Sequence, residues 1–214
     1  MQAVISPQFS ITIKTWNDLE ERFNLCQTDS DRFFSEWIDD LPELSEAEQA
    51  GVNRLKRRYD YHRSDRLLLE GTVNFIVISP LLELAGFFDP PFRIRSPQNV
   101  TLELEDPQEI IRGLIDGLVV QNSLWILVVE SKRTSIPVPA ALPQLLAYML
   151  ANPNPARPVF GMATNGDEFV FLKLLIQEDA SEYDVSRTFS LFPRRHELGE
   201  VLRILKRLGE VITD

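Results

Sequence analysis

Three ionisable residues lie within a short and otherwise apolar part of the chain. Asp116 belongs to the first of two hydrophobic segments, and Glu130 and Lys132 belong to the second. A buried charge costs free energy unless it is paired or holds a metal ion. Two carboxylates can hold Mg²⁺ or Mn²⁺, and a lysine beside them can orient a water or neutralise charge on a phosphate. The residue types therefore predict either a metal-dependent catalytic centre or a buried ion pair that only stabilises the sheet.

The two hydrophobic segments are typical of neighbouring strands joined by a tight turn. If residues 121–123 form the loop, Asp116 pairs with Val128 and becomes the diagonal neighbour of Glu130, roughly 5 to 8 Å away. A two-residue loop shifts the register by one and turns Asp116 to the opposite face. A bulge near Gly117 can restore the alignment. The geometry of the hairpin permits a shared cation.

A helix is predicted on each side of this hairpin. Upstream, residues 72–86 form a long apolar segment that ends at Gly86, with Glu70 as a carboxylate near its start. Downstream, an apolar helix is predicted over residues 140–151. Gln144 and Tyr148 are four residues apart and therefore lie on one face of that helix.

The order of these elements resembles that of the PD-(D/E)XK nuclease superfamily, also called the restriction endonuclease-like fold. A strand near residues 92–94 and a hairpin over 159–173, which turns at Asn165-Gly166, complete the order. Residues 64–175 are most similar to the N-terminal nuclease domain of type I restriction enzyme R subunits. The resemblance implies an α/β fold with a mixed central sheet flanked by helices, here with an extra N-terminal helical segment.

The resemblance also implies roles for individual residues. By this resemblance Asp116 and Glu130 would be the metal ligands, and Lys132 would be the catalytic lysine. Glu70 would be the carboxylate that assists the metal. Gln144 and Tyr148 would match the Gln-x-x-x-Tyr motif of the RecB-like branch. Taken singly, each supporting residue has a structural alternative. Glu70 can be a solvated helix residue, Gln144 can bond to the backbone, and Tyr148 can belong to the core. Ile115 departs from the family pattern, which has proline before the aspartate.

The expected function is that of a metal-dependent DNA endonuclease of restriction or repair type. Its expected cofactor is Mg²⁺ or Mn²⁺, and its expected partners are DNA and a partner subunit or a second copy of the chain. The alternative is a catalytically silent interaction or scaffold domain. Residues 1–214 are expected to form one domain, with an N-terminal helical decoration (1–63), a nuclease-like core (64–175) and a C-terminal strand and helix (176–214).

Composition excludes several other classes of protein. The 214 residues are 44% hydrophobic, which suits a single domain with a substantial core. The sequence has no apolar run long enough to span a membrane and no signal region, so a cytoplasmic protein without membrane association is expected. One cysteine excludes an internal disulfide and a cysteine-built zinc site, and Cys26 is expected to be buried as a small apolar residue.

The net charge of −10 argues against tight binding to bare DNA, but the charge is uneven. Residues 1–50 contain eleven acidic and three basic residues. The basic residues fall into two groups that could contact phosphates or simply be solvated. The groups are Arg54, Lys56, Arg57, Arg58, Arg63 and Arg66, and Arg194, Arg195, Arg203, Lys206 and Arg207.

Overall fold

A large mixed sheet forms the centre of the protein. The computed structural model describes residues 16–65, 67–103, 110–122, 124–155, 157–177, 180–191 and 196–213. The strands of the central sheet are β1 (Leu25–Gln27), β2 (Phe92–Arg95), β5 (Gly117–Gln121), β6 (Leu124–Ser131), β7 (Val159–Thr164), β8 (Glu168–Leu175), β9 (Ser181–Val185) and β10 (Phe189–Ser190). A separate two-stranded sheet pairs β3 (Gln98–Glu103) with β4 (Ile110–Ile115).

The central sheet mixes parallel and antiparallel neighbours. Its strand order is β1-β9-β8-β7-β6-β5-β2, with β10 beside β8. The pairs β1–β9 and β6–β7 are parallel, and the remaining pairs of this sheet are antiparallel. This arrangement confirms the mixed central sheet expected from the sequence.

Helices cover both faces of the sheet. They are α1 (Trp16–Phe23), α2 (Glu46–Asp65), α3 (Glu70–Val73), a π-helical turn (Asn74–Ile78), α4 (Ser79–Leu84), a 3₁₀ turn (Val138–Ala141), α5 (Leu142–Leu150) and α6 (Leu198–Thr213). Apolar residues of α2, α4 and α6 pack into one buried cluster, and those of α1 and α5 pack into a second. The two clusters lie on opposite faces of the sheet, so the protein has three layers.

Strand β6 explains this layering because it is buried on both faces. Leu127 and Val129 belong to the cluster under α6, whereas Val128 belongs to the cluster under α5. Successive side chains of a strand point to opposite faces. A continuous apolar run is therefore stable only in the middle of a covered sheet, and the charges at the end of β6 enter a largely water-free environment.

Helix α2 begins where the sequence predicts and ends earlier than expected. The Glu48 carboxylate accepts a bond from the Ser45 backbone N–H at 2.7 Å, and the Ser45 hydroxyl accepts one from the Glu48 N–H at 3.3 Å, which is a capping box. The sequence, in which Ser45 is followed three residues later by Glu48, predicts a helix that begins here and runs through the basic group into the Glu70 segment, but the helix ends at Asp65. The break is stabilised by Thr134, whose hydroxyl accepts a bond from the Leu68 N–H at 2.9 Å.

Other sequence predictions can be compared directly. Gly86, with φ of 82°, follows the helical segment that it was expected to end. Cys26 was expected to be buried, but it is exposed because it lies on the short edge strand β1. Residues 31–40 form turns and not a helix. Arg66, Arg194 and Arg195 lie outside the described residues. None of the described helices is both long enough and apolar enough to cross a membrane.

Candidate active site

The candidate site lies where β6 ends beside the bend between β4 and β5. Asp116 occupies this bend and was expected to lie within a continuous strand. One oxygen of its carboxylate, Oδ2, accepts bonds from the Ser131 backbone N–H at 2.7 Å and from the Ser131 hydroxyl at 2.6 Å. The Ser96 hydroxyl donates to the Asp116 carbonyl at 2.5 Å. The carboxylate is therefore held against the end of β6.

The observed strand register differs from the expected one. Gln121 pairs with Leu124, so the turn is one residue shorter than predicted, and Asn122 adopts a φ of 56°, which asparagine tolerates. An irregularity between Val119 and Val120, and not at Gly117, then shifts the register. Gly117 consequently pairs with Val129, which brings the preceding residue, Asp116, level with Glu130 and not with Val128.

Glu130 is a carboxylate buried at the end of β6. It is 1% exposed and pairs through the β6–β7 register with Ala163. Its Oε1 forms an ion pair with the Lys132 ammonium. Its other oxygen, Oε2, is buried and has no hydrogen-bond partner among the described residues. A buried carboxylate oxygen without a donor is costly, and a cation is one group that would satisfy it.

Burial has a large effect on the acidity of Glu130. Loss of solvation raises its pKa to about 7, although the Lys132 ammonium opposes this rise. The negative charges of Asp116 and Glu70 raise it further. Asp116 and Glu70 therefore lie close enough to Glu130 for their charges to act on it.

Lys132 follows β6 and faces this acidic environment. Its backbone N–H donates to the Thr164 carbonyl at 2.8 Å, which fixes the chain beside the end of β7. Burial lowers the pKa of its ammonium, but the hydrogen bond to Glu130 and the charges of Asp116 and Glu70 outweigh burial and raise that pKa overall. The raised pKa keeps Lys132 cationic at neutral pH, so its ammonium is available as a hydrogen-bond donor.

Glu70 begins helix α3 on the exposed side of the site. Its charge contributes to the raised pKa values of both Glu130 and Lys132, which places it in the same electrostatic environment. Leu68 and Thr134 join the segment before α3 to the segment after Lys132, since the Thr134 N–H also donates to the Leu68 carbonyl at 3.1 Å. These bonds hold the Glu70 helix beside the segment that follows β6.

Gln144 and Tyr148 lie on one face of α5, as their spacing predicts. The Gln144 side-chain amide donates to the Tyr148 hydroxyl at 2.6 Å. Burial raises the pKa of Tyr148, and the charges of Glu130 and Lys132 act on it in opposite directions. Tyr148 therefore lies close enough to the ion pair to sense it. It is also 7% exposed and packs into the core, so the core role and the supporting role are compatible.

Sequence reasoning assigned no role to Ser131, which holds Asp116 with both its backbone and its side chain. The sequence does show a small hydroxyl residue between Glu130 and Lys132, and the alternation of side chains along a strand directs it to the other face. Ser131 is fully buried, so its two bonds are protected from water.

Asp116 and Glu130 are the two carboxylates of the site that could hold a metal. Among the described residues, no group of three or more histidine, cysteine, aspartate or glutamate residues is arranged to hold a metal ion. Mg²⁺ commonly takes one or two carboxylates, waters and substrate phosphate oxygens. The unpartnered Oε2 of Glu130 and the Asp116 carboxylate are of the chemical type that could take part in such binding.

Among the solved structures that are similar to this chain is one of a restriction enzyme subunit. It is the fragment structure of a putative HsdR subunit of a type I restriction enzyme from Vibrio vulnificus YJ016, with a TM-score of 0.41 and 20% sequence identity. The similarity covers 67% of this chain and 26% of that chain, so this chain spans about a quarter of that chain's length. No family model and no curated protein matches the sequence.

Proposed function

We propose that the protein is a Mg²⁺- or Mn²⁺-dependent nuclease that hydrolyses phosphodiester bonds in DNA. The observation that carries the proposal is the buried Glu130 carboxylate, which has one oxygen on Lys132 and the other without a partner in the described part of the chain. A carboxylate that only served a structural ion pair would gain most from having both oxygens bonded. The restriction endonuclease-like order of the surrounding elements supports the same conclusion.

Each residue of the site has a distinct role in this mechanism. Asp116 and Glu130 would hold the metal, and Glu70 would assist from the exposed side. The bound metal would neutralise charge on the phosphate and make hydroxide available from water near neutral pH. Ser131 keeps the Asp116 carboxylate in position through two short bonds. Lys132, held as a cation, donates to the attacking water or to a phosphate oxygen.

DNA is the proposed partner in spite of the acidic composition. Arg54, Arg57 and Arg58 are exposed on α2 and supply positive charge on one side of the protein. A net charge of −10 keeps the affinity for phosphate backbones modest. A partner subunit or a second copy of the chain would raise the effective affinity without any new contact within this chain.

The test is cleavage of supercoiled and linear DNA with Mg²⁺, Mn²⁺ or EDTA. Cleavage is expected with either metal and not with EDTA. Asp116→Asn and Lys132→Gln are expected to lower the rate by at least about 100-fold, because each removes charge from the reacting centre. Arg133→Gln is the matched control, since Arg133 is the exposed neighbour of Lys132. Equal activity in Lys132→Gln and the parent protein would refute the proposed mechanism.

Metal binding provides a readout that does not depend on cleavage. Calorimetric titration of Mn²⁺ into the parent protein is expected to give a binding isotherm that is lost in Glu130→Gln. Ser131→Ala is expected to weaken binding without abolishing it, because Asp116 remains but is held less firmly. An isotherm that is unchanged in Glu130→Gln would place the metal elsewhere.

A catalytically silent interaction domain is the second candidate function. It is favoured by the direct contact between Lys132 and Glu130 and by the Ser131 bonds of Asp116, which satisfy most polar atoms of the cluster. Such a domain would neither bind Mn²⁺ nor cleave DNA. Lys132→Gln would then destabilise the fold, because it leaves the Glu130 charge buried and unpaired.

A further inference from the structure

One face of helix α2 is basic, aromatic and exposed. Arg54, Arg57, Arg58 and Tyr61 lie within about 100° of one another around the helix axis at 100° per residue. All four are exposed, and Tyr61 is 75% exposed although it is a large aromatic residue. The opposite face packs into the core through Val52, Leu55 and Tyr59. We call the four exposed residues the α2 stripe.

The charge of the α2 stripe is available for a ligand. Within the described part of the chain, Arg54, Arg57 and Arg58 form no ion pair. Most other basic side chains of the long helices are used internally. Lys206 pairs with Glu48, and Arg63 pairs with Asp167. The acidic residue Asp60 lies at the edge of the stripe and Asp65 at its end, and neither lies between the arginines.

The stripe leads to the candidate active site. A cavity of about 760 Å³ opens at the end of α2 and is lined by Tyr61, His62, Leu67, Leu69 and Thr72, among others. Leu69 and Thr72 lie on either side of Glu70 in the sequence. The cavity therefore extends from the end of the stripe to the segment that carries Glu70.

The end of α2 is fixed relative to the catalytic strand. Asp167, in the turn after β7, accepts a bond from the Tyr59 hydroxyl and bonds from Arg63 at 3.0 and 3.2 Å. Lys132 bonds to Thr164 at the end of the same strand. A ligand held on the stripe is thus held at a constant position relative to Lys132.

We propose that the α2 stripe binds a single strand of nucleic acid and delivers it to the candidate active site. The arginines would contact successive phosphates. Tyr61 and His62, whose rings meet edge to face at 5.2 Å, would border the cavity that takes an unpaired base. Bases in a duplex are already stacked on their neighbours, so only an unpaired base can use an exposed tyrosine. This inference rests on the proposed function, because it names the form of the substrate.

The narrow width of the basic surface supports a single strand over a duplex. Three arginines on one helix face follow one phosphate chain, whereas a duplex presents two chains and twice the charge per unit length. The remainder of the protein is acidic, with net charge −10 overall. This acidic surface repels a wide duplex more strongly than a narrow single strand.

The experiment measures fluorescence anisotropy of a labelled oligothymidylate of about 12 nucleotides and of a duplex of the same length, in EDTA. The full chain is expected to bind the single strand more tightly. Tyr61→Ala is expected to weaken single-strand binding at least about five-fold, whereas Tyr61→Phe, which keeps the ring, should stay within about two-fold. Changing all three arginines to glutamine is expected to make the slope of log K against log salt concentration less negative by about 2.

Arg157→Gln is the matched control, because Arg157 is exposed near the opposite end of β7 from Thr164. A loss of affinity in this control as large as in the stripe variants would overturn the inference. Equal binding of the duplex, or unchanged binding in Tyr61→Ala, would also overturn it. These binding measurements require neither metal nor cleavage, so their outcome does not depend on the outcome of the nuclease assay. Cleavage that depends on Lys132 together with unchanged binding in Tyr61→Ala would refute the strand path alone.

Discussion

Replacing Glu130 by glutamine gives the most direct test of the electrostatics at the candidate site. The substitution keeps the shape of the side chain and removes its charge. In the metal-free protein, burial raises the pKa of Glu130 from 4.5 to about 7. The folded protein therefore holds a proton on Glu130 at pH values where the unfolded chain has already released it, and stability falls as the pH rises through this window.

The magnitude follows from the size of the pKa shift. Each pKa unit corresponds to about 1.4 kcal/mol, so an ionised Glu130 costs about 3 kcal/mol well above pH 7. Below pH 4.5 the group is protonated in both states and has no such cost. Between pH 5.5 and 8.5 the linkage relation gives a change of about 2 kcal/mol. Glu130→Gln is therefore expected to gain about 2 kcal/mol relative to the parent protein over this range.

The assay is urea unfolding in EDTA at several pH values, followed by the fluorescence of the three tryptophans. Glu21→Gln, at an exposed position of α1, is the control for removal of an acidic group. A difference between Glu130→Gln and the parent that does not change with pH would refute the argument from burial. Added Mn²⁺ is expected to stabilise the parent and not the variant, since only the parent keeps the carboxylate.

Two further predictions concern the scaffold. The hydrogen bond from Lys206, opposed by burial and aided by bonds from Ser45, lowers the pKa of Glu48. Glu48→Gln should therefore lower the free energy of unfolding by about 1 kcal/mol at pH 7, and this loss should shrink as the pH falls through the folded pKa of Glu48 in urea titrations. A Cβ at Gly161 would lie 2.6 Å from the Met149 sulfur, so Gly161→Ala should destabilise the protein by about 1 to 3 kcal/mol in thermal unfolding. Gly71→Ala, where nothing lies within 4 Å, is the control and should not destabilise the protein.

Local sequence signals identified the elements whose causes are themselves local. The Ser45–Glu48 capping box and the positive φ at Gly86 need only neighbouring residues. The break between α2 and α3 was not predictable in this way. Leu67, Leu68 and Leu69 suit a helix, but Leu68 bonds to Thr134, which is 66 residues away in sequence. A tertiary hydrogen bond overrides helix propensity here.

The candidate site likewise has some features that could be predicted from the sequence and others that could not. The residue types and their order along the chain follow from sequence, as does the possibility of an ion pair between Glu130 and Lys132, which are two residues apart. The position of Asp116 opposite Glu130 does not follow from the sequence, because it depends on an irregularity in strand pairing between Val119 and Val120. The unpartnered Glu130 oxygen depends on packing from both neighbouring strands and α5. A change of one or two residues in strand register therefore decides which carboxylates lie close together.

Strand β1 has a consequence for how the protein is made. It pairs with β9 at the edge of the sheet, and the two partners are separated by roughly 150 residues of sequence. During synthesis β1 leaves the ribosome long before β9 exists, so β1 has no strand partner until β9 has been made. Until then β1 presents its backbone donors and acceptors to other chains. Self-association during refolding should therefore depend on residues 25–27 more than on any residue of the candidate site.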